Sequence, residues 1–145
     1  MARPGHVALT WTLDRKDPQF DISYDAYLRL RKARDARGRT LTIHKIQQPG
    51  PLYITAEEAA GIDQRAGSRP RKAGDRLPAS YINFYIANKC VVMPLYDKRH
   101  DAAAARTLKR LFPGRRVLGV ATREVLLGGG NIHCITQQLP RPTGR

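Results

Sequence analysis

The feature that most constrains this chain is an order of apolar segments that occurs twice. "HVALTWT" (6–12) is β-branched and aromatic enough for a strand. "YDAYLRLRKARDAR" (24–37) follows with helical spacing of Tyr24, Tyr27, Leu28 and Arg31, Ser23 as its cap and Gly38 as its stop. "TLTIHKI" (40–46) reads as the next strand. About 80 residues later the order returns as "KCVVMPLY", the helix "DAAAARTLKRLF" (101–112) and the strand "RVLGV". Each module can cover its apolar face only against a neighbour. The fold class is therefore α/β, with the modules arranged as a sheet or as blades round an axis.

Thr55 and Glu58 in "TAEEAAG" form a capping box for a short helix ending at Gly61. Residues 61–79 are rich in Arg, Gly and Pro without apolar period and read as a basic loop. "SYINFYIAN" (80–88) alternates Tyr81, Asn83 and Tyr85 with Ile82, Phe84 and Ile86, which predicts a strand and a hairpin turn at Asn88-Lys89. "TREVLL" is a short turn of helix or an extended link, and "IHCITQQ" reads as a terminal strand.

A length of 145 residues with 41% hydrophobic content suits one region, 1–145, with a single core. Twenty-six Lys and Arg against 12 Asp and Glu leave a formal charge of +14, so the chain is expected to bind polyanions non-specifically at low salt. The charge gathers in "RLRKARDARGR" (29–39), "RAGSRPRKAGDR" (65–76) and the terminal "RPTGR". No aromatic residues are interleaved with these arginines, which favours a solvated surface, and specific nucleic-acid binding stays as a rival. Two cysteines outside any CxxC pair fit a reducing, cytoplasmic setting, and no apolar run is long enough to span a membrane.

Chemistry concentrates at "LLGGGNIHCITQQLP" (126–140). Gly128, Gly129 and Gly130 let the backbone approach a ligand closely and turn amides toward it, and Cys134 beside them can be a nucleophile. The competing reading is a small buried hydrophobe on a last strand, as free cysteines commonly are. Neighbours on a strand point to opposite faces, so His133 is expected to lie away from the Cys134 sulfur. Cys90, in the apolar "CVVM", reads as inert core. His6, His44, His100 and His133 show no ligand spacing, so no metal is expected.

Together, "RPGHVALTWT", "PGPLYIT", "AGDRLPASYINFYIAN" and "LFPGRRVLGVATREVLLGGGNIHCITQQLP" resemble the C-terminal part of agmatine deiminases, within the wider peptidyl-arginine deiminase type family. The resemblance implies a partial α/β propeller of pentein type, made of ββαβ blades and limited to the C-terminal ones. It implies that Cys134 attacks the guanidinium carbon of agmatine to form an amidino-cysteine, giving N-carbamoylputrescine and ammonia on the way to putrescine and polyamines. It also implies substrate contacts from the backbone of Gly128, Gly129 and Gly130, and no cofactor or metal. The family's carboxylates and Gly-His-x-Asp segment have no counterpart here, since no His-x-Asp occurs in the chain. The expected partner is then a complementary N-terminal half or a second copy, and the isolated chain is expected to turn over little substrate. The alternatives are a basic nucleic-acid-binding module and an inactive interaction fragment.

Overall fold

The computed structural model describes residues 3–63, 67 and 70–139. Part of the expected basic loop (64–66, 68 and 69) and the terminal "RPTGR" lie outside the described residues. Strand β1 (His6–Trp11), helix α1 (Gln19–Lys32) and strand β2 (Thr42–Gln47) form the first unit, with β1 and β2 parallel from His6↔Thr42 to Trp11↔Gln47. After the short α2 (Ala56–Ala60) come β3 (Tyr85–Ile86), β4 (Cys90–Leu95), α3 (Lys98–Leu111) and β5 (Arg116–Ala121). In this second unit β3 is antiparallel to β4, and β4 is parallel to β5. The order β3-β4-α3-β5 is strand, strand, helix, strand. The described residues form two separate small sheets, β1-β2 and β3-β4-β5, and these do not make up a propeller.

One core joins the two units. Helix α3 buries Ala104, Leu108 and Leu111 along one face, and these cluster with Ile46 of β2, Val91 and Met93 of β4, Tyr81 and Phe112. Burial of such side chains contributes about 1.5–3 kcal/mol each. Asp97 caps α3 by accepting the Arg99 N–H, so the helix begins at Lys98 rather than at residue 101. Asp101 in its first turn accepts the Tyr81 hydroxyl at 2.7 Å and the backbone N–H groups of Tyr96 and Asp97. Burial and then this carboxylate raise the Tyr81 pKa, so its hydroxyl stays a donor.

Several boundaries differ from the sequence expectation for local reasons. Helix α1 starts at Gln19 because the Asp17 carboxylate takes the Gln19 N–H, and Ser23 is buried inside the helix instead of capping it. It ends at Lys32, since Asp35 accepts the N–H groups of Arg37 and Arg39 and folds that stretch into a turn. The strand expected over 80–88 shrinks to Tyr85–Ile86. Asn83 N–H bonds to Ser80 O in a turn, which brings Tyr81 and Phe84 to the same core and breaks the alternation.

Some of the positive charge serves as internal ties. Arg76 donates to both oxygens of Asp17 at 2.7 and 2.8 Å, and Gln48 donates to the same carboxylate, joining the basic loop to the start of α1 and the end of β2. Arg115 donates to the carbonyls of Ala87 and Asn88, bracing the β3-β4 turn.

The β1-β2 pair also carries a titratable contact, His6 Nδ1 to His44 Nε2 at 2.9 Å, in which one ring must donate and the other accept. Desolvation, then His6, Arg3 and Arg110, push the His44 pKa below its ordinary 6.5. A depressed folded-state pKa means that the unfolded chain binds the proton more readily. The associated stability is present above pH 6.5 and is lost as pH falls through the folded value. The urea midpoint is expected to drop between pH 7.5 and about 5.5, and the drop should be smaller in His44→Asn. Identical pH dependence in the two proteins would contradict this.

Candidate functional site

The candidate site is built on the segment after β5. Helix α4 (Arg123–Leu127) buries Leu126 against Ile54 and Leu77, while Arg123 donates to both Glu58 oxygens, at 2.5 and 2.9 Å, and to Tyr53 O. The Glu58 carboxyl, lowered to about 2 chiefly by Arg123 and then by the Thr55 N–H of its capping box, stays charged and holds α2 to α4. The expected capping box is present, and the "TREVLL" segment resolves as a helical turn.

Two of the three glycines close α4, because Gly128 N–H bonds to Val125 O and Gly129 N–H to Leu126 O. These amides therefore point back into the helix, where the sequence had suggested amides facing a ligand. Gly129 turns the chain at φ +89°, and Arg71 Nη2 sits against it, donating to Gly128 O at 2.6 Å. A Cβ at Gly129 would lie 2.5 Å from that nitrogen. A Cβ at Gly130 would lie 2.7 Å from Cys134 Cβ and 2.9 Å from its Sγ, so only glycine leaves room for the cysteine side chain in this position.

The expected terminal strand is instead a 3₁₀ turn, Ile132–Ile135. Asn131, 0% exposed, creates it: its Oδ1 accepts the Ile132 N–H, and its carbonyl accepts the N–H groups of Cys134 and Ile135. Thr136 closes the turn by donating its hydroxyl to Ile132 O at 2.8 Å. Asn131 Nδ2 donates in turn to the Tyr96 hydroxyl at 3.0 Å, and that hydroxyl donates to Ser80 O. Burial raises the Tyr96 pKa to about 12, which keeps this hydroxyl protonated.

Cys134 is exposed, against the alternative that it is a buried hydrophobe, while Cys90 is half-buried on β4. The Cys134 sulfur meets Asn83, whose Nδ2 lies 3.4 Å away. Hydrogen bonding from the Asn131 backbone, then from Asn83, holds the thiol below its ordinary 9.0, against a smaller opposing desolvation. The strand alternation expected to separate His133 from Cys134 is absent; successive residues of the 3₁₀ turn are instead rotated by about 120°. His133 lines a cavity of about 430 Å³ with Val7, Phe84 and Ile86. An exposed, activated thiol on a tightly capped turn is suited to nucleophilic attack.

The sequence singled out Cys134 and the glycines but not Asn83, Asn131 or Tyr96. Asn131 had a readable signal, a capping residue directly before an apolar turn. Asn83 had none, since its role depends on a contact with a residue 51 positions away. Among the described residues no group of three or more His, Cys, Asp and Glu could hold a metal ion, and no helix is long and apolar enough to cross a membrane.

The family model described as Porphyromonas-type peptidyl-arginine deiminase matches residues 1–140. The Listeria monocytogenes (strain F2365) protein named "Putative agmatine deiminase 1" is 54% identical over 139 residues, covering 96% of this chain and 38% of that protein. The solved structure titled "Agmatine deiminase of Enterococcus faecalis catalyzing its reaction" superposes with a TM-score of 0.88 at 42% identity, over 97% of this chain and 38% of the other. A Porphyromonas gingivalis structure, titled as a putative arginine deiminase, superposes with a TM-score of 0.79 at 27% identity. The chain thus spans well under half the length of these relatives.

Proposed function

The chain belongs to the Porphyromonas-type peptidyl-arginine deiminase family, and we propose that it supplies the cysteine nucleophile for hydrolysis of a guanidine carbon-nitrogen bond, with agmatine as substrate. The observation that carries this reading is the exposed Cys134 thiol, lowered in pKa and fixed by the Asn131-capped turn. Agmatine is the substrate class because the chain's 54%-identical relative is named for it.

The guanidinium carbon is resonance-stabilised and a poor electrophile, so a soft and strong nucleophile is required. The Cys134 thiolate forms a C–S bond, giving a tetrahedral adduct. Protonation of one –NH₂ group lets that C–N bond break, and ammonia leaves an amidino-cysteine. Water then adds to the same carbon, the C–S bond breaks to return the thiolate, and N-carbamoylputrescine departs for putrescine and polyamine formation. Gly130 keeps space for the sulfur, while Gly128 and Gly129 set the approach of the backbone. The chain's own part needs no metal or cofactor.

Carboxylates that grip the guanidinium, and a base that moves protons for a further ~10²–10⁴-fold, come on this reading from a complementary segment completing a pentein propeller. The test pairs the chain with the complementary portion of the Enterococcus faecalis relative and measures ammonia and N-carbamoylputrescine from agmatine. Product is expected from the pair and none above the blank when the chain carries Cys134→Ser. Equal product with and without that substitution would overturn the reading.

A further inference from the structure

The geometry assigns Asn83 to the site as the donor that holds the Cys134 sulfur in its thiolate form, a role that rests on the nucleophile reading of Cys134. Asn83 is half-buried in the turn before β3, remote in sequence from the glycine corner. Its amide has one orientation that satisfies its neighbours. The His133 N–H, a donor that cannot be reversed, lies 2.9 Å from Asn83 Oδ1, so this atom must be the oxygen. The amide NH₂ is then left facing the sulfur, with Nδ2 at 3.4 Å and Oδ1 at 3.8 Å. A thiolate accepts from that NH₂. A neutral thiol accepts from that NH₂ only weakly and offers its weak S–H to the more distant oxygen, so the amide stabilises the ionised form in preference.

The same side chain also sets where the sulfur sits. One end of the amide grips the backbone of the 3₁₀ turn at His133, and the other grips the side chain of the next residue. Asn83 is itself held through its N–H on Ser80 O, and Ser80 bonds to Thr10 of β1 at 2.6 Å and to Tyr96. The sulfur is thereby referenced to both strand-helix-strand units. Neutral, short and unable to move a proton, Asn83 orients and stabilises the sulfur and takes no part in proton transfer.

Asn83→Asp separates the two contacts, since a carboxylate oxygen still accepts the His133 N–H while the donor to sulfur becomes a negative charge. The experiment is the pH profile of iodoacetamide alkylation at Cys134, read by peptide mass spectrometry on the intact chain, with Cys90 as internal reference and the urea midpoint as the measure of folding. In Asn83→Asp the profile is expected to move to higher pH by at least about one unit, slowing Cys134 about tenfold at pH 7. Asn83→Ala is expected to move it in the same direction by less, and it decides the matter if the Asp variant does not fold. Profiles for both folded variants that superimpose on that of the unsubstituted chain would overturn the assignment, as would an Asn83→Ala profile that superimposes when the Asp variant does not fold. Because alkylation needs no turnover, a shifted profile together with absent guanidine hydrolysis by the complemented pair would sink the hydrolase reading and leave the Asn83–thiolate contact standing.

Discussion

Gly130→Ala is expected to lower guanidine turnover by the complemented chain about 10²-fold, while Gly38→Ala leaves it unchanged. A Cβ at 130 would come within 2.7 Å of Cys134 Cβ, so the 3₁₀ turn that carries Cys134 has to shift. A displacement of about 1 Å in a reacting atom is enough for a loss of that size. Gly38 is the control, because it has a positive φ of +75° but nothing within 4 Å of the added atom. Its substitution strains the backbone and lowers the urea midpoint without touching the site. Measuring kcat, KM and the midpoint for both variants separates presentation of the sulfur from general stability. Unchanged kcat in Gly130→Ala would mean that the close approach of Gly130 to Cys134 does not matter.

The second large effect is on folding. Leu108→Ala removes a side chain that is 0% exposed at the centre of the shared core, and it is expected to cost about 2–5 kcal/mol. That is a large share of the ~5–15 kcal/mol available to a typical domain. The informative probe is Trp11, the single tryptophan, which lies in β1 and packs with Phe20 and Tyr27 under the Lys45 ammonium. Leu108 belongs to the other unit, but its cluster includes Ile46 of β2. One cooperative core therefore predicts that Trp11 fluorescence and far-ultraviolet circular dichroism shift together in urea. A Trp11 transition left in place while the α3 signal is lost would show two independent units.

Most of the scaffold was legible because its signals are local. The alanines and the Leu108 and Leu111 stripe of α3, the capping box at Thr55 and Glu58, and the β-branched runs of β1, β2, β4 and β5 each specify one element without outside help. The misreadings occur where a side chain overrides periodicity. Ile-His-Cys-Ile-Thr reads as part of a terminal strand, yet Asn131 and Thr136 satisfy its backbone from either end and close a 3₁₀ turn. Alternation along 80–88 puts Tyr81 and Phe84 on opposite faces, whereas a turn at Asn83 together with the pull of Asp101 on Tyr81 brings both to one core. Within the site, Cys134 and the glycines were visible as residue types in an unusual string. The Asn131 backbone contact to the thiol is local, but Asn83 at the sulfur, Tyr96 at Asn131 and Arg71 at Gly128 O share no sequence neighbourhood with Cys134. The basic stretch 65–76 carries a second ambiguity that geometry reduces: Arg71 and Arg76 hold a backbone carbonyl and a carboxylate of the chain itself, as Arg115 and Arg123 do outside the basic stretches.

On the proposed function, the Cys134 thiol is exposed and ionisable for attack on an amidine carbon. Its most direct measurement is the competition between the two cysteines for 2-chloroacetamidine at pH 7, followed by peptide mass mapping. Cys134 is expected to be labelled at least about ten times faster than Cys90, in keeping with an exposed thiol held below its ordinary pKa. Labelling of Cys90 at an equal or greater rate, or a Cys134 left intact by the reagent, would contradict it.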